Sequence, residues 1–217
     1  MGLASNPDLL VIHAVRVTGV AATGAIAERT DLRREVVEEH LLDDEARGWV
    51  RRVDFADLAG WTLTESGRVE DERRLADELE RTGARPAVEG AHANFERLNA
   101  RVLGSLTRWQ IRPRSWDPLA ANDHDDIPWD ERVLDELASY GRRLGPLCSG
   151  LTAALDRFRG YDERYAAALR RALAGQRAWV DGAGVDSCHT VWIQLHEDLL
   201  ATLGVARGED PASRPSR

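Results

Sequence analysis

The sequence predicts a mainly α-helical protein with one small β-hairpin near its N-terminal end. Two patterns predict it. Residues 49–53 (Trp-Val-Arg-Arg-Val) and 60–63 (Gly-Trp-Thr-Leu) read as a period-two pair of antiparallel strands, the alternation being clean in Trp61-Thr62-Leu63. Almost everywhere else apolar residues recur at helical spacing, with Pro7, Pro86, Pro128 and Pro146 near helix starts and Gly48 and Gly83 near helix ends.

Taken in order, Asn6 is a suitable N-cap for a first helix with Pro7 at its first position. Leu9, Leu10, Ile12, His13, Val17 and Val20 mark its inward side, and Thr18-Gly19 ends or bends it. Thr23 caps a short second helix carrying Ile26 and Ala27. Thr30-Asp31-Leu32 makes a turn, and a third helix runs from about Arg33 to Arg47 with Val37 and Leu41 facing inward. The hairpin follows, with its tip at Asp54–Ala59, and Thr64 opens a long helix to about Arg81. Two helices joined by a tight turn and followed by a two-stranded ribbon describe a winged helix-turn-helix.

Downstream the text is helical and rich in tryptophan. Helices are expected at about 86–110, 128–142, 146–157, 160–175 and 185–203, with an irregular loop between Ile111 and Ile127. The expected organisation is a winged-helix domain at 1–64, a connecting helix at 65–84, an all-α domain at 85–204 and a flexible tail at 205–217.

Composition narrows the function classes. Hydrophobic residues are 43% of the 217 and charged residues 30%, an ordinary globular balance, and no apolar run approaches a bilayer span. The N-terminal residues lack a signal-peptide pattern, and Asn6 stands where a myristoylation motif wants Ser or Thr. The expectation is a cytoplasmic protein with no membrane partner. Cys148 and Cys188 fit no metal spacing and read as two reduced, buried thiols. All 29 basic residues are arginine, which removes lysine Schiff-base chemistry and a phosphate-loop lysine. Residues 1–82 hold 11 Arg against 18 acids, a net of −7, whereas the remaining 135 hold 18 against 19. The negative excess thus falls on the part that looks like a nucleic-acid reader.

Three groups of residues could carry function. Arg33 and Arg34 at the start of the third helix, and Arg51 and Arg52 on the first wing strand, are suited to phosphates and guanine edges, with Arg16 or Arg29 assisting. Against them, Glu35, Glu38, Glu39, Asp43, Asp44 and Glu45 share the third helix, and a net-negative face weakens phosphate binding. In the last helix His189, Trp192 and His196 form one stripe. His196-Glu197-Asp198-Leu199-Leu200 fails the zinc-protease spacing, so no metal is expected; a histidine–aspartate network tying this helix to the Asn122–Asp126 loop is. Finally Asn99, Trp109, Arg112, Asn122, His124, Trp129, His189, Trp192 and His196 suit either a pocket for a small, anionic effector or a tryptophan-rich core with polar tips. Cys188 and His189 are only sequence neighbours, so no catalytic constellation is expected, and no cofactor.

Two resemblances add to this reading. Arg47-Gly48-Trp49-Val50-Arg51-Arg52 and Trp61-Thr62-Leu63-Thr64-Glu65-Ser66-Gly67-Arg68 resemble the wing and following helix of bacterial winged-helix regulators of the multiple-antibiotic-resistance (MarR) type. That implies a dimeric transcription factor binding double-stranded DNA. Asp44 departs from the pattern, standing where a leucine is usual, and the dimerisation helix that usually precedes the first helix is not in the sequence. The stretches Asn122 to Leu137 and Asp186 to Gly204 are similar to a helical segment found with phosphoenolpyruvate-utilising dikinase-like proteins. With no phosphohistidine or ATP-grasp pattern present, that similarity implies a regulatory or docking role and not the dikinase activity. The leading expectation is a ligand-responsive DNA-binding regulator; the alternative is a winged-helix interaction module that does not bind DNA.

Overall fold

The structure, a computed structural model, describes residues 2–55 and 58–205. It is mainly helical with a small two-stranded antiparallel sheet. The elements are α1 (Pro7–Thr18), α2 (Thr23–Thr30), α3 (Arg34–Ala46), β1 (Val50–Phe55), β2 (Leu58–Leu63), α4 (Glu65–Thr82), α5 (Arg85–Gln110), α6 (Ile127–Ala154), α7 (Tyr161–Leu173), α8 (Ala178–Asp181) and α9 (Cys188–Leu203). A 3-10 turn occupies Asp156–Phe158. The described residues divide into two compact units: 2–88 with 152–157 and 197–205, and 89–151 with 158–196.

In the first unit α1 is buried almost all round. Val11, Ala14 and Val15 join Leu9, Ile12, His13 and Val17 inside, whereas Leu10 and Val20, expected inward, are only partly buried. Asn6 holds the N-cap position but its side chain makes no capping bond. Val11, Ala14 and Val15 pack with Ile26 of α2, Val37 and Leu41 of α3, and Val50 and Trp61 of the hairpin. Asp31 takes the left-handed conformation at the α2–α3 turn (φ 55), which its short polar side chain tolerates. Gly48 does the same after α3 (φ 74).

β1 and β2 pair in register from Val50↔Leu63 to Phe55↔Leu58, so the ribbon extends past the strand ends read from alternation. Residues 56 and 57 of the expected tip, and 206–217 of the expected tail, lie outside the described residues. Ala21 bridges to Trp61 of β2 as an isolated antiparallel pair. Its N–H donates to Trp61 O (3.0 Å) and its carbonyl accepts from Trp61 N–H (2.8 Å). The Thr64 hydroxyl accepts from Gly67 N–H (3.0 Å), a true N-cap, and donates to Gly48 O (2.6 Å), pinning α4 to the end of α3. Gly67 is required there, since a Cβ would lie 1.9 Å from Trp49 O.

Asp44, the departure from the usual leucine, is buried at 3% exposure at the end of this core. Burial pushes its carboxyl up to about 6, against the pull of Arg74 and Arg47. A group whose folded pKa is raised contributes stability below its unfolded value, near 4, and loses it as pH rises through 6. Asp44→Leu should therefore stabilise the protein at pH 7.5 by about 1–2 kcal/mol, and by much less at pH 4.5. Urea unfolding of both proteins at the two pH values checks this; equal stability at pH 7.5 would refute it.

The second unit is a helical core. Phe95, Leu98 and Val102 of α5, Val133, Leu137 and Leu144 of α6, Tyr165 of α7 and Val191, Trp192 and Leu195 of α9 are buried. One expectation is corrected. The two helices read at 128–142 and 146–157 are a single helix, α6, with Pro146 inside it. The buried stripe Leu137, Leu144, Cys148 and Leu151 runs through the proline in helical register, so side-chain packing outweighs the missing N–H.

Candidate functional site

The hairpin and the start of α3 carry the first candidate surface. Arg33 is the N-cap residue of α3 and Arg34 its first residue, so both project from the helix end whose N–H groups are unsatisfied and whose dipole favours anions. Arg33, Arg34 and Arg51 are exposed, and none is ion-paired to a described residue. Arg52 is different: its guanidinium stacks over the Trp61 ring (4.5 Å) and lies 3.9 Å from Glu45. Consecutive strand residues point to opposite faces, so Arg51 and Arg52 do not serve the same side of the ribbon. Glu35, Glu38, Glu39, Asp43 and Glu45 are exposed along α3. Of the acids counted against this helix, only Asp44 turns inward.

Arg16 cannot assist as expected, because its side chain is 7% exposed and committed elsewhere. It donates to Glu197 Oε1 (3.1 Å), Asp71 Oδ2 (3.2 Å) and Glu72 Oε1 (3.0 Å). Arg29 is partly buried and its charge helps hold Asp198 ionised.

Arg16 belongs to a buried ionic network that sequence reasoning missed. His13 is held between Asp71 (Nδ1–Oδ1 3.2 Å) and Asp198 (Nε2–Oδ1 3.0 Å). Arg157 donates to Glu78 (2.9 Å), Asp198 (2.5 Å) and Thr202 (2.7 Å). Burial works to lower the His13 pKa, but Asp71 and Asp198 outweigh it and push it up to about 9, so the imidazole is charged at neutral pH. The Asp198 carboxyl is held far below the usual range: burial opposes this, and Arg157 and His13 overcome it. His13 stood out in the sequence as an inward position, and Arg16 only as a helper to the arginine surface. The aspartate partners of His13 lie 58 and 185 residues away, beyond any local pattern. Beside the network, Arg16, Arg68, Glu72 and Glu197 line a cavity of about 290 Å³ that contains none of the expected effector residues.

The expected effector residues fall into separate settings within the second unit. Trp192 Nε1–H donates to Asn99 Oδ1 (2.9 Å), and Trp192 stacks on Phe95, whose ring lies 5.2 Å from His196. At the loop, Asn122 donates to Trp109 O (3.0 Å) and Asp130 (2.8 Å), and His124 Nδ1 lies 2.8 Å from Asp130 Oδ2. The Trp109 ring packs on His124, while Arg112 pairs with Asp126 and faces the Trp129 ring. Trp129 in turn donates to Arg108 O (2.9 Å). His189 is half-buried, and burial lowers its pKa.

A histidine–aspartate network does anchor the loop, but through His124 and Asp130 of the loop and α6. The expected tie from α9 is replaced by His196 facing Glu96 of α5 at 2.9 Å. Both cysteines are free and buried, and burial pushes each thiol up to about 12, so neither is poised as a nucleophile.

His92 and Glu96 are the residues the sequence reading passed over in this unit. They stand one turn apart on α5 and close on His196, forming a group of three possible metal ligands. The signal was present as a His-x-x-x-Glu spacing, but its third member lies 100 residues on.

Compared with models of known protein families, with curated proteins and with solved structures, the chain matches none.

Proposed function

We propose that residues 2–64 form a winged helix-turn-helix that reads duplex DNA, in a MarR-like transcriptional regulator acting as a homodimer. The helical remainder would sense a small effector or carry the dimer contact. What supports the reading is one observation: three exposed arginines, Arg33, Arg34 and Arg51, ion-paired to no described residue, at the N-terminal end of α3 and on the hairpin that follows it. Elsewhere in the unit, arginines such as Arg16, Arg73 and Arg157 are spent on carboxylates. Cations kept clear of the abundant acids are what a phosphate-binding surface needs. The order α1–α2–α3–β1–β2, with Ala21 bridged to β2, suits α3 entering a major groove and the hairpin gripping the flanking backbone.

The acidic outward face of α3 favours a second reading, a winged-helix interaction module that binds no DNA. The second resemblance would link that module to a phosphoenolpyruvate-utilising enzyme. Fluorescence-polarisation titration with the gene's own upstream DNA, over a salt series, separates the two. A dimer using three arginines per chain should show a log–log salt slope of about −5. Arg33→Ala should weaken binding about tenfold, and Glu38→Gln should strengthen it. No binding at low salt would remove the regulator and leave the interaction module.

A further inference from the structure

We propose that His92, Glu96 and His196 form a binding site for a divalent transition-metal ion, with zinc as the best-suited occupant. The site lies wholly within the second compact unit and goes beyond the DNA-binding reading, on which it does not depend.

The donor set comes first. Two imidazoles and one carboxylate are the ligands of three-residue zinc sites that keep a position open, and imidazole also suits iron, cobalt and nickel. Helix periodicity then does the placing. His92 and Glu96, four residues apart on α5, share one face of that helix, and His196 approaches them from α9. The ligand atoms all lie within 4.8 Å of one another. His196 Nε2 is 2.9 Å from Glu96 Oε1, and His92 Nε2 is 3.7 Å from the same oxygen. Tetrahedral bonds near 2.0 Å put neighbouring ligand atoms about 3.3 Å apart, so these separations bracket the required spacing.

Unmet polar groups point to the same place. His92 Nε2 and both carboxylate oxygens of Glu96 are shielded from solvent yet make no hydrogen bond of aligned geometry to any described residue. A shielded carboxylate left that way is costly, and an ordinary ion pair would turn at least one N–H onto it. A cation among the three atoms satisfies them together. The surroundings fit an inserted ion as well. The Phe95 ring lies beside His196 with Trp192 stacked on it, and the two imidazole rings stack with centroids 6.3 Å apart. The three side chains are 14–18% exposed, which leaves a way in and a fourth position open to water or to an anionic ligand. The poor zinc spacing within α9 does not weigh against this, because two of the three ligands come from α5.

The test uses the full chain, freed of metal by chelator and dialysis. Zinc is titrated by calorimetry, and cobalt by its visible ligand-field absorption, which becomes intense in tetrahedral sites. The expected result is one ion per chain, a higher Tm with zinc, and intense cobalt bands. His92→Gln and Glu96→Gln should each lower affinity at least 100-fold while the far-UV circular dichroism stays that of the parent. Should one variant fail to fold, the other and His196→Gln carry the comparison. Absence of saturable binding in the parent protein would overturn the site. So would binding that survives both α5 substitutions, since the ion would then be held by other histidines.

Discussion

Arg157→Ala should cost about 3–5 kcal/mol of unfolding free energy, the loss expected when one partner of a buried ionic cluster is removed. The Arg157 side chain is 2% exposed and its fork meets three acceptors: Glu78, Asp198 and Thr202. Glu78 and Asp198 are themselves 1% and 3% exposed, so deleting the guanidinium takes from Glu78 the cation it faces and leaves Asp198 to His13, both carboxylates out of reach of water. Arg157→Lys should restore only part of the loss, because a single ammonium cannot span acceptors placed for a planar five-donor group. The measurement is urea unfolding at pH 7: a fall in midpoint at unchanged slope, with a Tm drop of roughly 10 °C. An Arg157→Ala protein within 1 kcal/mol of the parent would mean that the cluster contributes little and the apolar core alone carries this unit.

How much of this was legible follows from the range over which each feature is encoded. The hairpin was legible from its own side chains: Trp61-Thr62-Leu63 alternates with period two, while Trp49-Val50-Arg51-Arg52-Val53 carries the pattern only loosely, with Arg51 and Arg52 both exposed. The ends of α3 and α4 were legible because Gly48 and Gly83 supply the left-handed conformation locally. Pro146 misled because its local meaning, a helix start, was overridden by a buried stripe on both sides of it. The exposed arginines were readable as candidates, but not which would be free: only the fold shows Arg16 consumed by Asp71, Glu72 and Glu197 while Arg51 stays open. The ionic cluster around His13 and the His92–Glu96–His196 group were illegible for the same reason. Each is closed by a residue far along the chain: His92 and Glu96 share a His-x-x-x-Glu spacing, but nothing local points to His196 as their third member. In both, an inward-facing histidine was a local clue that a polar partner had to exist.

The second large expectation concerns pH. His13 has a folded pKa of about 9 against an ordinary 6.5. A raised histidine contributes its stability in full below the unfolded value and loses it as pH climbs through the folded one. Two and a half units correspond to about 3 kcal/mol, so the first unit should weaken by roughly that amount between pH 6.5 and 9. The groups facing His13 sharpen the effect. Asp71 and Asp198 flank its two ring nitrogens and Arg157 Nη1 lies 3.4 Å from Nε2, so a neutral imidazole leaves more negative charge in the cluster than Arg157 and Arg16 neutralise. Asp44 tilts stability the same way at lower pH, while Asp198 and Glu70, held below their ordinary values, act oppositely and protect only above the unfolded carboxylate range near 4. Urea midpoints should therefore peak on the mildly acidic side and decline steadily to pH 9. His13→Asn should lower the midpoint at pH 6 and flatten the alkaline decline. A parent protein equally stable at pH 6.5 and 9 would show that His13 is buried neutral, donating to one aspartate only.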